Sequence, residues 1–171
     1  MKGKWAEGIE PRNFVWVIKD SLAICERPGG YGEHHRRVRR QEEIIWVRQH
    51  QFDVLYSLIA GSHNLHNYEE LGMPFRHRPW PLHDQLAQYM EVFFTEIHGA
   101  ITAGLKVLVH KEEVGERLCG LMAAYLLWAG LVPTGPQVTA IAERIFQQRL
   151  GPHGRELVES AIGMDSKKES I

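Results

Sequence analysis

A strand, a loop and an apolar helix follow one another in the second half of this chain, and this succession limits the fold more than any other feature. Residues 105–109 form a mostly apolar run of strand length, and the apolar helix predicted for residues 117–129 lies one loop further on. Residues 53–59 form a second run, of the kind that is buried on both faces of a parallel sheet. A helical pattern over residues 86–103 separates the two runs. We therefore expect an α/β fold with a central, mostly parallel sheet flanked by helices.

Weaker patterns complete the order of elements. Residues 14–18 and 22–25 are rich in β-forming residues and predict a hairpin or two edge strands. A short strand is predicted over residues 75–80, and further helices are predicted over residues 38–50, 137–149 and 154–162. In the helix of residues 86–103, the positions predicted to face the core are Tyr89, Val92, Phe93, Ile97 and Ile101.

Composition indicates an ordinary folded protein but identifies no partner. The 171 residues are 44% apolar and 24% charged, which fits one domain over residues 1–164 and a polar tail over residues 165–171. The net charge of -1 argues against nucleic-acid binding. No apolar run suits a signal sequence or a membrane span, and the two cysteines suggest neither a disulfide framework nor a zinc site. We expect a cytoplasmic protein without a metal or a cofactor.

The loop between residues 109 and 117 lies where α/β proteins bind ligands, because the end of a strand leads there into a helix N-terminus that attracts anions. Its sequence reads Val109-His110-Lys111, then five residues, then Arg117, and the helix continues with Ala124-Tyr125-Leu126. Upstream, the segment Pro79-Trp80-Pro81-Leu82-His83-Asp84 places a carboxylate 27 positions before Lys111.

In these residues the chain resembles the protein-tyrosine and dual-specificity phosphatases, and the resemblance covers most of the chain. It implies a phosphotyrosine-phosphatase-like fold of the dual-specificity type. It also implies that Lys111 stands where the family has its nucleophilic cysteine, Arg117 where it has its phosphate-binding arginine, and Asp84 where it has its general acid. His110 matches a histidine that orients the loop, and Gly115 completes the predicted anion-binding set of the loop.

The loop departs from the family pattern at more than one position. Lys111 cannot supply the thiolate that the mechanism requires. Val114 stands in place of a glycine, and Leu118 in place of a hydroxyl residue that assists the leaving thiolate. Residues 111–117 carry two positive and three negative charges, the latter on Glu112, Glu113 and Glu116. We therefore expect weak phosphate binding and an internal ion pair between Arg117 and one of these glutamates.

Each candidate residue also has a plainer interpretation. Arg117 can be a salt-bridged arginine at the start of a helix, and Asp84 a first-turn acid of the helix that follows it. His110 can be a hydrogen-bonded histidine at a strand end. Cys25 and Cys119 are expected to be buried residues and not displaced nucleophiles. The ten histidines show no compact set of metal ligands with acids or cysteines.

A basic cluster precedes the predicted helix of residues 38–50 and follows a glycine-rich loop. Such a cluster is usually a solvated helix face, but at this junction it is suited to a phosphorylated or acidic protein. We expect Arg36 and Arg37 to form an outer anion contact. The cluster consists of His34, His35, Arg36, Arg37, Arg39 and Arg40.

These observations favour a catalytically inactive phosphatase-like protein, or pseudophosphatase, that acts as a binding or regulatory module. Two alternatives stay open. One is an active enzyme of the same fold in which Lys111, or Asp84 with His83, performs non-cysteine chemistry on a phosphorylated or carbonyl substrate. The other is a structural subunit whose former cleft is filled. The sequence does not decide the oligomeric state.

Substitution of Lys111 by cysteine tests whether one change separates this chain from an active phosphatase. We expect Lys111→Cys to leave the phosphatase rate near background, because Val114, Leu118 and the loop glutamates still oppose the chemistry. Hydrolysis of para-nitrophenyl phosphate by the variant, measured beside the unmodified protein, checks this expectation. A substantial rate from this single change would contradict the argument.

Overall fold

The computed structural model describes residues 8–30, 37–62 and 64–164. The chain forms two compact units. Unit 1 contains the residues up to Trp80 together with Ala100–Val114, and unit 2 contains Pro81–Gly99 and the residues from Gly115 onward. The single domain over residues 1–164 stays a prediction. The predicted tail, residues 165–171, lies outside the described residues.

A five-stranded sheet with the order β1-β2-β5-β3-β4 is the framework of unit 1. The strand β1 pairs with β2 in antiparallel fashion, and the other three pairings are parallel. The predicted hairpin and the predicted mostly parallel sheet are therefore confirmed. The strands are β1 (Val15–Ile18), β2 (Leu22–Glu26), β3 (Val54–Ser57), β4 (Phe75–His77) and β5 (Val107–Lys111).

Strand β5 lies at the centre of the sheet, and its apolar sequence explains this place. Val107, Leu108 and Val109 are fully buried, which suits a strand covered on both faces. The register with β2 and β3 places Cys25 and Ser57 on either side of His110. The carboxyl ends of three neighbouring strands therefore align polar side chains on the same face of the sheet.

Two helices of unit 1 complete this core, α1 (Arg37–Gln49) and α2 (Leu65–Glu70). Ile44 and Val47 of α1 and Tyr68 of α2 pack into one buried cluster with side chains of β2, β3 and β5. Helix α2 was not predicted, because its sequence LHNYEE is short and shows no apolar periodicity.

The helices that follow belong mainly to unit 2. A short 3-10 helix, His83–Gln85, leads into α3 (Leu86–Thr102), whose last residues lie in unit 1. The others are α4 (Glu116–Trp128), α5 (Gly135–Phe146) and α6 (Gly151–Ile162). No helix in the described part of the chain has both the length and the apolar character required to cross a membrane.

Local backbone chemistry moves the ends of some elements from their predicted positions. Helix α5 begins earlier than predicted because the Thr134 hydroxyl caps it, accepting a hydrogen bond from the Gln137 N–H at 3.3 Å. It ends at Phe146 because Gln147 adopts a left-handed conformation with φ of 54°. The strand predicted over residues 75–80 ends at His77, close to Pro79. Val92 was predicted to face the core, but it is 59% exposed.

Helices α4 and α6 approach each other closely within unit 2, and two glycines permit this. A Cβ atom at Gly120 would lie 2.4 Å from the Cα of Gly154, a separation that packed atoms do not tolerate. The contact involves backbone, so a side-chain rotation cannot relieve it. The close spacing of α4 and α6 therefore requires residues without a side chain at both positions.

Substitution of Gly120 by alanine tests this packing. We expect Gly120→Ala to lower the free energy of unfolding by about 3 kcal/mol, because the methyl group forces the two helices apart. Gly99→Ala in α3 is the matched control, since nothing lies within 4 Å of its added Cβ, and it should raise stability by about 0.5–1 kcal/mol. Urea unfolding measures both effects, and equal effects of the two variants would refute the packing argument.

Candidate functional site

Lys111, the last residue of β5, is the residue that the sequence resemblance aligns with the family's nucleophilic cysteine. Its ammonium Nζ lies 3.3 Å from Glu112 Oε2 and 4.9 Å from the centre of the Trp80 ring. Only 16% of the Lys111 side chain is exposed. The ammonium is therefore held by an ion pair and a cation–π contact within unit 1.

Beneath Lys111, the fully buried His110 fixes the end of the strand. Tyr68 Oη lies 2.9 Å from His110 Nε2, and His110 Nδ1 lies 3.4 Å from the Lys111 carbonyl oxygen. A carbonyl can only accept, so Nδ1–H donates to it and Nε2 accepts the hydrogen bond of the Tyr68 hydroxyl. Burial lowers the pKa of His110 to about 4, so the imidazole is neutral near pH 7. His110 thus orients the Lys111 carbonyl and adds no positive charge to the loop.

Both cysteines of the chain lie in surroundings that disfavour the thiolate form. Cys25 and Cys119 are both buried, as predicted. Burial raises the pKa of the Cys25 thiol well above its usual value, and the charges of Glu43 and Glu26 raise it further. Burial also raises the pKa of Cys119, to about 12. Both side chains are therefore thiols at neutral pH and not thiolates.

The second part of the loop opens α4 in unit 2. The Glu116 carboxylate lies against Gly151 at the first residue of α6, and its Oε1 is 3.7 Å from His153 Nε2. Arg117 is exposed. Within unit 2, the predicted pairing of Arg117 with a loop glutamate is wrong for Glu116, because that carboxylate is directed towards α6. Leu118, in place of the family's hydroxyl residue, is fully buried.

Val114 and Gly115 of the loop do not adopt a left-handed backbone conformation. Positive φ values occur at four non-glycine residues of the described chain, and Val114 is not one of them. Gly115 precedes α4 in an extended conformation with φ of −118°. Valine is therefore accommodated in this loop without left-handed strain.

The acid-loop candidate, Asp84, lies in the 3-10 helix of unit 2 and is exposed. Its neighbour His83 places Nε2 2.5 Å from Glu156 Oε1 of α6. Asp84 is in the first turn of this 3-10 helix, whereas the first turn of α3 itself contains no acid. Its catalytic assignment stays a prediction.

The described residues of the basic cluster, Arg37, Arg39 and Arg40, differ in their exposure. Arg36, His34 and His35 lie outside the described residues. Arg37 is exposed at the start of α1, whereas Arg39 pairs with Glu43 at 3.2 Å. Arg40 is only 7% exposed, so it is not part of an exposed basic surface. The outer anion contact predicted for Arg36 and Arg37 stays a prediction.

Sequence reasoning missed two partners of the loop, Tyr68 and the ring of Trp80. Tyr68 lies on the unpredicted helix α2, so no pattern linked it to His110. Trp80 was part of the acid-loop motif, but the motif gave no indication of a contact with Lys111. Among the described residues, no group of three or more histidine, cysteine, aspartate or glutamate side chains could hold a metal ion.

No protein-family model matches the sequence, and no curated protein matches it. Solved structures match at low identity. Kinase associated phosphatase (KAP), with its catalytic cysteine replaced by serine, superimposes with a TM-score of 0.72 at 14% identity, over 91% of this chain and 98% of that chain. Tk-PTP in the active form gives a TM-score of 0.67 at 16% identity, over 89% and 98% of the two chains. The catalytic core of the PP-IP phosphatase SIW14 from S. cerevisiae, in complex with citrate, gives 0.63 at 12% identity, over 95% and 91%.

At these identities the matches show the fold alone. They confirm the predicted phosphotyrosine-phosphatase-like fold of the dual-specificity type. They leave activity, substrate and partner undetermined, because one fold serves proteins of different function.

The buried His110 should make the stability of the protein depend on pH. The unfolded chain protonates this histidine near pH 6.5 and the folded chain near pH 4, so the unfolded state binds more protons between these values. Stability should therefore fall as the pH drops from about 6.5 to about 4, with this histidine contributing on the order of 3 kcal/mol.

Urea unfolding at several pH values checks this expectation, with His110→Asn as the non-titrating comparison. The acid-induced loss of stability should be smaller in His110→Asn. An NMR titration of the His110 ring in the unmodified protein provides a second readout. A His110 pKa near 6.5 in the folded protein would show that the assignment is wrong.

Proposed function

We propose that this protein is a pseudophosphatase, a dual-specificity-phosphatase-like protein that does not hydrolyse phosphoesters and acts as a binding or regulatory module. The observation that carries the proposal is the setting of Lys111. The sequence resemblance assigns Lys111 to the family's nucleophile position, and its ammonium is bound to Glu112 and faces the ring of Trp80.

An ammonium group cannot replace a thiolate in phosphoryl transfer. It has no free electron pair with which to attack phosphorus, whereas a thiolate is a strong nucleophile at neutral pH. Both partners of Lys111 Nζ, a carboxylate and the face of an aromatic ring, interact with the cation. This setting supports a structural or binding role for Lys111.

No other residue of the chain supplies the missing thiolate. The sequence contains two cysteines, and both are buried thiols with raised pKa values. A route through a displaced cysteine would require unfolding of the core around Cys25 or Cys119. The burial of these residues therefore supports the loss of cysteine-based catalysis.

The charges of the loop support weakened binding of phosphate dianions. In unit 1, the carboxylate of Glu112 is already paired with the ammonium of Lys111, and Glu113 adds a further exposed negative charge. At a separation of a few ångströms, like charges interact by on the order of a few kcal/mol when the effective dielectric constant is near 20. A dianion would have to displace Glu112 from Lys111 before it could use that charge.

The proposed partner is a phosphorylated or acidic protein. The exposed guanidinium groups of Arg117 in unit 2 and Arg37 in unit 1 are each accessible for bidentate hydrogen bonds to a carboxylate or a phosphate. A protein surface with several acidic groups requires no deep pocket. This distinguishes the proposal from recognition of a small phosphoester.

A turnover assay tests the proposal directly. The purified protein should hydrolyse neither para-nitrophenyl phosphate nor phosphotyrosine and phosphothreonine peptides above the buffer blank, because no thiolate nucleophile is present. An active phosphatase of the same fold serves as the positive control, and Lys111→Ala as the matched variant. Vanadate-sensitive turnover that disappears in Lys111→Ala would overturn the proposal and favour non-cysteine chemistry at Lys111.

A further inference from the structure

Strand β4 is the outermost strand on one side of the sheet in unit 1. It pairs with β3, and no strand of the described chain lies on its other side. Arg76, in the middle of β4, is exposed, and its neighbours Phe75 and His77 are partly exposed. An accessible strand edge offers backbone donors and acceptors to a strand of another molecule. These three residues, called the β4 edge below, are therefore a candidate binding surface.

The hydrogen bonds to β3 show which backbone groups of the β4 edge point outward. The Pro74 carbonyl oxygen accepts a hydrogen bond from β3 at 3.0 Å, and the Arg78 N–H donates one to β3 at 2.8 Å. Successive residues of a strand direct their N–H and C=O groups to opposite sides. The N–H and C=O groups of Phe75 and His77 therefore point away from β3, towards the open side of the sheet.

Two arginine side chains cover the outward carbonyl groups. Arg76 Nη1 donates to the Phe75 carbonyl oxygen at 3.4 Å, and Arg78 Nη1 donates to the His77 carbonyl oxygen at 2.9 Å. Charged side chains on an edge strand protect it against unspecific strand pairing. The contact of Arg76 is longer than an ordinary N–H···O hydrogen bond, whereas an arginine–carboxylate pair is charge-assisted and stronger. A carboxylate can therefore draw Arg76 away from the carbonyl that it covers.

The two faces of the β4 edge differ in chemistry, because side chains alternate along a strand. The Phe75 ring packs against Tyr68 of the buried cluster, at a centroid distance of 5.5 Å. Arg76 is directed to the opposite face of the sheet. The segment of residues 71–80 contains two arginines and no acid. An incoming strand that alternates apolar and acidic residues would thus place an apolar side chain beside Phe75 and a carboxylate beside Arg76.

A second copy of this chain would fit the β4 edge poorly. Pairing of two β4 edges would bring the Arg76 side chains of both copies onto neighbouring strands, where like charges destabilise the pair. The strand also has only three residues, so its backbone offers few hydrogen bonds and side-chain contacts must supply part of the affinity. Both considerations favour a partner strand that carries negative charge.

We propose that the β4 edge binds an extended segment of a partner protein in which acidic and apolar residues alternate. The backbone of the segment pairs with the outward groups of Phe75 and His77, and its carboxylates bind Arg76. The segment thereby adds a strand to the sheet. The inference extends the proposed binding function, on which its biological role rests, to a surface that contains no residue of the loop.

Fluorescence anisotropy with synthetic peptides tests the inference. The probe is a fluorescein-labelled peptide of alternating valine and glutamate, and the control peptide carries lysine in place of glutamate. The acidic peptide should bind the unmodified protein at least about tenfold more tightly than the lysine peptide, because only its side chains are complementary to Arg76.

Methylation of the peptide backbone separates strand pairing from charge attraction. Two further peptides carry N-methyl groups on every valine or on every glutamate, with all side chains unchanged. Only one of these two sets of amides can face the β4 edge. One methylated peptide should therefore lose at least about tenfold in affinity, and the other should keep most of its affinity.

A matched pair of charge variants locates the peptide on the protein. Arg76→Gln removes the exposed guanidinium of the β4 edge, and Lys19→Gln removes an exposed charge from the β1–β2 turn, at the opposite side of the sheet. Affinity for the acidic peptide should fall about tenfold in Arg76→Gln and stay within error in Lys19→Gln. Both residues are exposed, so both variants should fold.

The inference is wrong if the unmodified protein does not bind the acidic peptide, or if both methylated peptides bind as tightly as the unmethylated one. Binding that Arg117→Ala abolishes and Arg76→Gln does not would place the peptide at the loop and overturn it. A dimer in light scattering that the peptide dissociates would identify a second copy as the occupant, with the same consequence. None of these results bears on the turnover assay, so the two proposals can fail separately.

Discussion

The hydrogen bond between Tyr68 and the buried His110 determines how the central strand of the sheet ends. Because Tyr68 donates to Nε2, the imidazole must carry its proton on Nδ1 and present it to the Lys111 carbonyl. Burial keeps this ring neutral, so the hydrogen-bond pattern does not change near pH 7. The chain therefore leaves β5 in a defined direction, and the position after the histidine is held by backbone geometry, whichever side chain it carries.

The proposal assigns Lys111 to the family's nucleophile position within a scaffold of the same fold. The fold of the protein-tyrosine and dual-specificity phosphatases is retained, as the superposition on KAP shows. The ammonium, however, has an acidic neighbour in Glu112 and an aromatic one in Trp80, so its charge is satisfied internally. Glu116 likewise belongs to the contact between α4 and α6. Lys111, Glu112 and Glu116 thus have partners within the protein, which is the physical basis for the proposed binding role.

The sequence predicted the sheet well because burial on both faces leaves a continuous apolar run, as in Val107, Leu108 and Val109. Prediction from the sequence failed where tertiary contacts override the local sequence pattern. Helix α2 has too few apolar residues to be recognised from the sequence. Its residue Tyr68, the partner of His110, was therefore not predicted. Arg40 belongs to a basic run that is typical of a solvated surface, yet the hydrogen bond to Asn64 holds it inside. The direction of the Glu116 carboxylate depends on α6, which lies far along the chain.

The most direct test of the central claim is a search for a phosphorylated enzyme intermediate. The protein is mixed with an excess of a phosphorylated substrate, quenched at alkaline pH to preserve any phosphorus–nitrogen bond, and analysed by intact-mass and peptide mass spectrometry. The account predicts no phosphoryl adduct at any time point, because Lys111 presents an ammonium and both cysteines are buried thiols. A phosphoryl group on Lys111 that forms and decays with substrate consumption would contradict it.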